Sequence, residues 1–483
     1  MPIIATLLLV AATFAAAQEV SRHDQRGVQL GQSGDLAAAI EQFRAALRLD
    51  PNYVEAWYHL GLAYNQSQKT DEAMAGFEEA LRLRPDHVEA RYMLADCCRK
   101  RGDFAGELNL LAEVVTKAPQ FAEAHYNYGI ALKNHEKVQH ALEELRAAVR
   151  LSPGNPKYLL ALGIALTDAD KKAAVNVLRD AVEHSAGSAD AHYNLALALA
   201  TDGEDIAAVE EFNRVLELSP KRASALRAMG VTLLHQGKLA ESSAALRRAL
   251  EAAPSDAEAA NNLGAVQLKL KDVQGAIETL EHAVQLNPDL IKAHASLAQA
   301  YQRAGRTAEA RRESERLATL TAEQRNRGRA MVLVQSAEQQ TKAGQTAQAL
   351  STLHQAIEAS PGFADAHFQL GRLLRDSGGN PNDAIASFRR VLRLDPERAE
   401  AHYEIGVTLE RAGRKADALE EYRIAVEMAP CHVEAKEALA RAALDAHQWS
   451  TAAAQFRGVL AFQPKNADAK DGFDRAITSE GKP

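Results

Sequence analysis

The chain has few aromatic residues and no surplus of positive charge, and each scarcity argues against a class of protein. Aromatic residues make up 5% of the 483 residues, whereas apolar residues make up 47%. Small aliphatic side chains of this kind favour closely packed helices and would fill a sheet sandwich poorly. The formal net charge of −8 argues against a nucleic-acid binder, because such a protein needs a basic face to displace counterions.

Cysteine is also scarce. The chain contains only Cys97, Cys98 and Cys431. An odd number with one adjacent pair does not indicate a disulfide framework, and no Cys/His spacing suggests a zinc site. We therefore interpret all three cysteines as free thiols packed in helix interiors, where this residue type is commonly buried.

Charged residues are absent from residues 3–17, which end in three alanines before Gln18. This pattern is typical of a secretory signal peptide, and the run is too short to span a bilayer. We expect residues 1–17 to be removed after Ala17. No later stretch is apolar enough for a membrane helix, so the mature chain is expected to be soluble and exported, periplasmic or secreted in a bacterium.

Proline recurs at a fixed interval along the chain. Eleven of the fifteen prolines form one series in which most steps are 34 residues. Such a period indicates one supersecondary unit repeated many times. The series is Pro51, Pro85, Pro119, Pro153, Pro220, Pro254, Pro288, Pro361, Pro396, Pro430 and Pro464.

The unit at residues 56–85 resembles the consensus of the tetratricopeptide repeat family. Its residues at the eight signature positions are Trp57, Leu60, Gly61, Tyr64, Ala73, Phe77, Ala80 and Pro85. The resemblance extends from about Val20 to the last residues. It implies an all-α solenoid, a right-handed superhelix of about thirteen helical hairpins.

The signature residues have simple physical tasks. Glycine early in the first helix, as at Gly61, leaves room for the second helix, and large residues such as Phe77 fill the space between hairpins. Proline ends the second helix because it cannot continue the hydrogen-bond ladder. Six histidines share the position of Trp57, where we expect an aromatic-sized residue for packing: His23, His125, His192, His294, His367 and His402.

One long segment departs from the repeat pattern. Seven arginines lie within residues 306–329, interleaved with glutamates, where a second helix and turn are expected. A site for phosphate or an acidic partner is one interpretation, and a solvated helix with ion pairs is the other. The predicted organisation is a signal peptide (1–17), about nine repeats (18–315), an irregular joint (316–329), about four repeats (330–464) and a capping helix with a tail (465–483).

The sequence lacks the motifs of the common catalytic sites. It has no nucleophile elbow, phosphate-binding glycine loop, zinc-protease motif or calcium loop. The repeated histidines could be read as metal ligands or bases, but their shared repeat position favours a structural role. We predict that the protein is not an enzyme and has neither a cofactor nor a metal.

The family resemblance implies a concave groove lined by the first helix of each hairpin. Along that helix, the positions of Tyr58 and Leu62 share a face. In hairpins two to six these positions carry mainly tyrosine and aliphatic residues, which could hold an apolar peptide or partner helix. They could instead pack only on the next hairpin. With neighbouring asparagines, the predicted site comprises Tyr58, Leu62, Tyr92, Tyr126, Asn127, Ile130, Tyr193, Asn194 and Leu197.

These features predict an exported, non-enzymatic scaffold that binds a protein or peptide segment in its groove. The alternative is an accessory protein of cell-envelope or polysaccharide assembly that contacts glycan or a synthase complex.

Overall fold

The computed structural model describes residues 2–480, with side chains for residues 17–479, and this part of the chain is built from 26 α-helices without a β-strand. The first thirteen helices are α1 (Pro2–Gln32), α2 (Leu36–Leu49), α3 (Val54–Gln66), α4 (Thr70–Leu83), α5 (Val88–Lys100), α6 (Phe104–Lys117), α7 (Ala122–Asn134), α8 (Val138–Leu151), α9 (Pro156–Leu166), α10 (Lys171–His184), α11 (Ala189–Asp202), α12 (Asp205–Leu218) and α13 (Ala223–His235).

The remaining helices are α14 (Leu239–Ala252), α15 (Ala257–Lys269), α16 (Val273–Leu286), α17 (Ile291–Arg303), α18 (Thr307–Lys342), α19 (Thr346–Ala359), α20 (Ala364–Asp376), α21 (Pro381–Leu394), α22 (Ala399–Arg411), α23 (Lys415–Met428), α24 (Val433–Asp445), α25 (Trp449–Phe462) and α26 (Ala467–Glu480).

Most helices follow one another as hairpins in which a helix of 13 residues precedes one of 14, as in α3 and α4. The 36-residue helix α18 occupies two places in this series, the second helix of one hairpin and the first helix of the next. Counted this way, residues 2–480 contain thirteen hairpins followed by α26. The prediction of an all-α, helical-hairpin repeat fold is confirmed.

Glycine allows the two helices of a hairpin to approach closely. A Cβ atom at Gly61 would lie 2.6 Å from the Phe77 ring, and one at Gly264 would lie 2.4 Å from Leu280. Neither distance is compatible with an ordinary side-chain contact. The early glycines therefore provide the space that the sequence pattern predicts.

The turn inside most hairpins contains one residue with left-handed backbone geometry. Glycine occupies that position eight times in the described chain, for example Gly237 with φ of 76°. Four other residues adopt the same conformation without glycine's freedom. They are Gln68, Glu136, Lys271 and His447.

The chain divides into two compact units. Unit 1 consists of residues 1–131 together with 333–483, and unit 2 of residues 132–332. In unit 1, one apolar cluster joins early and late residues of the chain: Phe77 and Leu81 share it with Cys431, Ala461 and Phe462. In unit 2, smaller clusters follow the hairpins, such as Leu268, Leu280 and Leu297.

The interpretation of all three cysteines as free thiols is wrong for two of them. Cys98 and Cys431 form a disulfide across 333 positions of sequence, with their Cα atoms 5.9 Å apart. Cys97 is free and buried. Cys98 lies in α5, but Cys431 lies in the turn before α24 and not in a helix interior. A rule based on counting and spacing cannot detect a bridge that only the tertiary fold brings together.

Residues 316–329, the predicted joint, lie inside the continuous helix α18, and the predicted capping helix corresponds in position to α26. Residues 1–16 of the predicted signal peptide lie outside the residues whose side chains are described. Cleavage after Ala17 and the division into two sub-arrays stay predictions.

Candidate functional site

The predicted binding residues lie on the first helices of four hairpins, and all nine are partly exposed. Six belong to unit 1 and three to unit 2. Helix α3 carries Tyr58 and Leu62, α5 carries Tyr92, α7 carries Tyr126, Asn127 and Ile130, and α11 carries Tyr193, Asn194 and Leu197.

Tyr58 packs against the start of the following hairpin. Its ring lies 4.8 Å from the His87 ring and 6.0 Å from the Phe77 ring, measured between centroids. Burial raises the pKa of the Tyr58 hydroxyl. The tyrosine is therefore held by the next hairpin while part of its side chain remains accessible.

Tyr92 and Asn127 form the second contact of this kind. The Tyr92 ring lies 4.9 Å from the Phe121 ring, and the Asn127 amide donates a hydrogen bond to the Tyr92 hydroxyl oxygen. Burial also raises the pKa of Tyr126, on the same helix as Asn127. In unit 1, Tyr92 and Asn127 are thus brought together as a hydrogen-bonded pair on adjacent first helices.

In unit 2, Tyr193 is covered by a cation. The Arg222 guanidinium carbon lies 4.4 Å from the centre of the Tyr193 ring, which is within the range of a cation–π interaction. The Asn194 amide donates a hydrogen bond of 2.8 Å to the Asp190 carbonyl oxygen of its own helix. Asn127 and Asn194 therefore have different partners and do not form one repeated arrangement.

The same repeat position carries aromatic residues that the sequence analysis did not assign. The Arg398 guanidinium carbon lies 4.2 Å from the Phe368 ring centre, and the Tyr403 and His432 rings lie 5.1 Å apart. Phe368 and Tyr403 directly follow His367 and His402. Their register, one place after each repeated histidine, was the signal that could have identified them.

The repeated histidine position supplies a hydrogen-bond donor as well as bulk. Nε2 of His294 donates to the Pro288 carbonyl oxygen at 2.9 Å, and its Nδ1 lies 2.6 Å from a Glu313 carboxylate oxygen. The Trp57 indole and the Arg91 guanidinium likewise donate to the carbonyl oxygen six residues earlier. Size alone does not explain the position, since arginine replaces tryptophan and histidine there.

Charged residues at the start of the first helices are largely paired within the chain. Arg84 donates to Glu55 at 2.8 Å and Arg222 to Asp190 at 2.7 Å. In the arginine-rich stretch, Arg311 pairs with Glu315 and Arg316 with Asp289. These pairs agree with the interpretation of a solvated helix with ion pairs.

Metal-ligand clusters and membrane-spanning helices are both absent from the residues whose side chains are described. Among residues 17–479, no three side chains of histidine, cysteine, aspartate or glutamate are grouped so as to hold a metal ion. Over residues 17–479, no helix combines the length and apolar character needed to cross a membrane.

Comparison with solved structures gives several distant similarities, whereas no curated protein matches the chain. The APC/C hetero-tetramer Cut9–Hcn1 is 16% identical, with 98% of this chain and 99% of that chain covered and a TM-score of 0.36. MamA from Desulfovibrio magneticus RS-1 is 25% identical over 34% of this chain and 95% of its own, with a TM-score of 0.31. The P58(IPK) TPR domain is 17% identical over 89% and 99%, with a TM-score of 0.24.

Sequence models of the repeat cover most of the chain. One tetratricopeptide repeat model matches residues 108–156, 159–223, 227–291, 340–378 and 375–430. Two further models match residues 29–68 and residues 65–126 and 267–332. The chain therefore belongs to the tetratricopeptide repeat family, whose fold serves protein-interaction scaffolds.

Proposed function

We propose that this protein is an exported, non-enzymatic scaffold that binds a protein or peptide segment on the first helices of hairpins two to six. The observation that carries the proposal is the array of tetratricopeptide hairpins, which covers most of residues 29–430 in the family comparison. It is combined with a row of partly exposed tyrosines at one repeat position.

The contacts of these tyrosines suit a binding surface. Tyr58, Tyr92 and Tyr193 are each held on one side by a residue of the next hairpin. A tyrosine that is already ordered loses little conformational entropy when a partner covers its exposed part. The surface would therefore bind an apolar or mixed peptide segment without a large ordering cost.

Export is supported by the bond between Cys98 and Cys431. Disulfides persist in oxidising compartments and are rare where glutathione and thioredoxin keep thiols reduced. A buried bridge between distant repeats is therefore consistent with a periplasmic or secreted protein, as the first 17 residues predict.

The binding surface can be tested by a matched pair of variants. Affinity capture from the native periplasm or medium, with mass spectrometry, first identifies the partner. Replacing Tyr58, Tyr92, Tyr126 and Tyr193 by alanine should then weaken binding at least about tenfold. Replacing Phe368 and Tyr403 by alanine is the control, because it removes rings at the same repeat position outside the proposed surface.

Equal loss of affinity in the two variants would show that ring removal acts through folding, and unchanged affinity in the first would contradict the assignment. Circular dichroism checks that both variants remain helical. Binding of the purified chain to a glycan array, without any protein partner, would favour the alternative role in envelope or polysaccharide assembly.

A further inference from the structure

Unit 1 contains a seam where an early and a late segment of the chain meet. Helices α4 and α5 and the start of α6 lie on one side, and the turn before α24 with helices α24 and α25 lies on the other. Helix α4 packs against α25. The disulfide between Cys98 and Cys431 crosses this seam. Both cysteines are buried, with 0% and 2% of their surface exposed.

Polar contacts surround the disulfide and cross the same seam. One Asp103 carboxylate oxygen accepts from the Cys431 backbone N–H at 2.7 Å, and the other accepts from the Gly106 N–H at 2.9 Å. The Arg101 guanidinium donates to the Glu427 carbonyl oxygen at 3.0 Å. The two segments approach so closely at Gly106 that a Cβ atom on this residue would lie 2.2 Å from the Cys431 Cβ.

A buried ion pair limits how strongly the seam holds by itself. Lys436 donates to Glu78, and both side chains are buried. The attraction between two buried charges is largely offset by the loss of their hydration. The seam must also close a chain segment of 333 positions, which carries an entropic cost. A covalent bond removes that cost once it has formed.

We propose that the Cys98–Cys431 bond is an oxidation-dependent latch that fastens the turn before α24, and with it α24 and α25, to α5 and its neighbours α4 and α6. To form it, the two thiols lose two electrons and two protons. A disulfide-bearing oxidant accepts them and becomes two thiols, while the S–S bond forms between Cys98 and Cys431. The chain leaves a reducing compartment unlatched and is fastened in an oxidising one.

Cys97 is adjacent to the latch but does not compete with it. Its thiol is buried, and burial raises its pKa to about 12. Thiol–disulfide exchange requires a thiolate. The Cys97 thiol therefore stays protonated and leaves the neighbouring bond intact.

The latch is tested on the full chain by peptide mapping and hydrogen exchange. Mapping without reductant should yield one linked pair of peptides containing Cys98 and Cys431, with Cys97 free. After reduction with dithiothreitol, amides of α4, α5, α24 and α25 should exchange at least about tenfold faster, whereas α13–α16 of unit 2 should not change. The Cys98→Ser/Cys431→Ser variant should match the reduced chain, and Cys97→Ser should match the oxidised one.

Three outcomes would overturn the proposal. The first is three free thiols in the chain purified from an oxidising compartment. The second is exchange in α4 and α25 that reduction leaves within about twofold. The third is an equal increase in all helices, which would indicate global stabilisation and no local latch. If the double variant does not fold, reduction of the unaltered chain supplies the same comparison.

Discussion

The Lys436 ammonium group donates a hydrogen bond to the Glu78 carboxylate although 358 positions of sequence separate the two residues. Both residues are buried, with 5% of the surface of Lys436 and 4% of that of Glu78 exposed. The contact is one of the longest-range interactions in unit 1, and its burial makes each charge dependent on the other.

Removing one of these charges should destabilise unit 1. Lys436→Met leaves the Glu78 carboxylate buried without its partner, and we expect the free energy of unfolding to fall by about 3 to 5 kcal/mol. The double variant Glu78→Gln/Lys436→Met should recover part of that loss. Denaturant titration measures both changes. Lys415→Met removes the exposed ion pair with Asp445 and should cause no measurable change; a similar loss in this control would contradict the role of burial.

Glu107 should make stability depend on pH. Burial raises the pKa of its carboxyl to about 7, so the folded chain retains this proton at pH values where the unfolded chain has lost it. The folded state therefore loses stability as pH rises from about 4.5 to 7. Glu107→Gln should stabilise the chain at pH 8 by up to about 3 kcal/mol and change little at pH 4.

Thermal unfolding of the unaltered and Glu107→Gln chains at pH 4, 6 and 8 measures this difference. Glu72→Gln, which removes an exposed carboxylate, controls for the loss of one negative charge. A constant difference between Glu107→Gln and the unaltered chain across the three pH values would rule out the raised pKa as its cause.

His294→Phe separates the two explanations for the repeated histidine position. Phenylalanine keeps an aromatic ring but leaves the Pro288 carbonyl oxygen without its donor and removes the contact of Nδ1 with Glu313. We expect a loss of about 1 to 3 kcal/mol in the free energy of unfolding, the usual cost of an unsatisfied buried acceptor. The exposed His235 in the same unit provides the control His235→Phe. Unchanged stability in His294→Phe would restore the explanation by size alone.

Lys271→Gly should stabilise unit 2. Lys271 has φ of 66°, a conformation that costs a residue with a Cβ atom about 1 kcal/mol and costs glycine almost nothing. The reverse change, Gly237→Ala, should cost a similar amount, because Gly237 has φ of 76° and a Cβ there would meet open space. Denaturant midpoints of both variants check the prediction. Stabilisation by Lys271→Gly together with destabilisation by Gly237→Ala supports the prediction. Two stability changes in the same direction would contradict it.

The repeat architecture could be predicted because its signals are local and recur. Proline spacing, the early glycines and residues such as Phe77 specify each hairpin from within about 34 positions. The seam of unit 1 could not be predicted in this way. Cys98 meets Cys431, and Glu78 meets Lys436, across 333 and 358 positions of sequence, and no short sequence pattern encodes contacts at that separation.

For the candidate site, the repeat position of the tyrosines could be predicted, but their contact partners could not. The register of the tyrosine position followed from the repeat, and the structure places Tyr58, Tyr92 and Tyr193 on first helices. Their partners were harder to foresee, because His87, Phe121 and Arg222 belong to the turns that precede the next hairpins. The donor role of the histidine position could have been recognised, since tryptophan, arginine and histidine all carry an N–H group.

The bond between Cys98 and Cys431 also turns most of the polypeptide into a covalent macrocycle. A single peptide-bond cleavage anywhere between these two residues leaves one connected molecule, because the fragments remain joined through sulfur. Only cleavage before Cys98 or after Cys431 releases a piece of the chain. A protease that cleaves a turn between these cysteines would thus leave the molecular mass almost unaltered until a reductant separates the fragments.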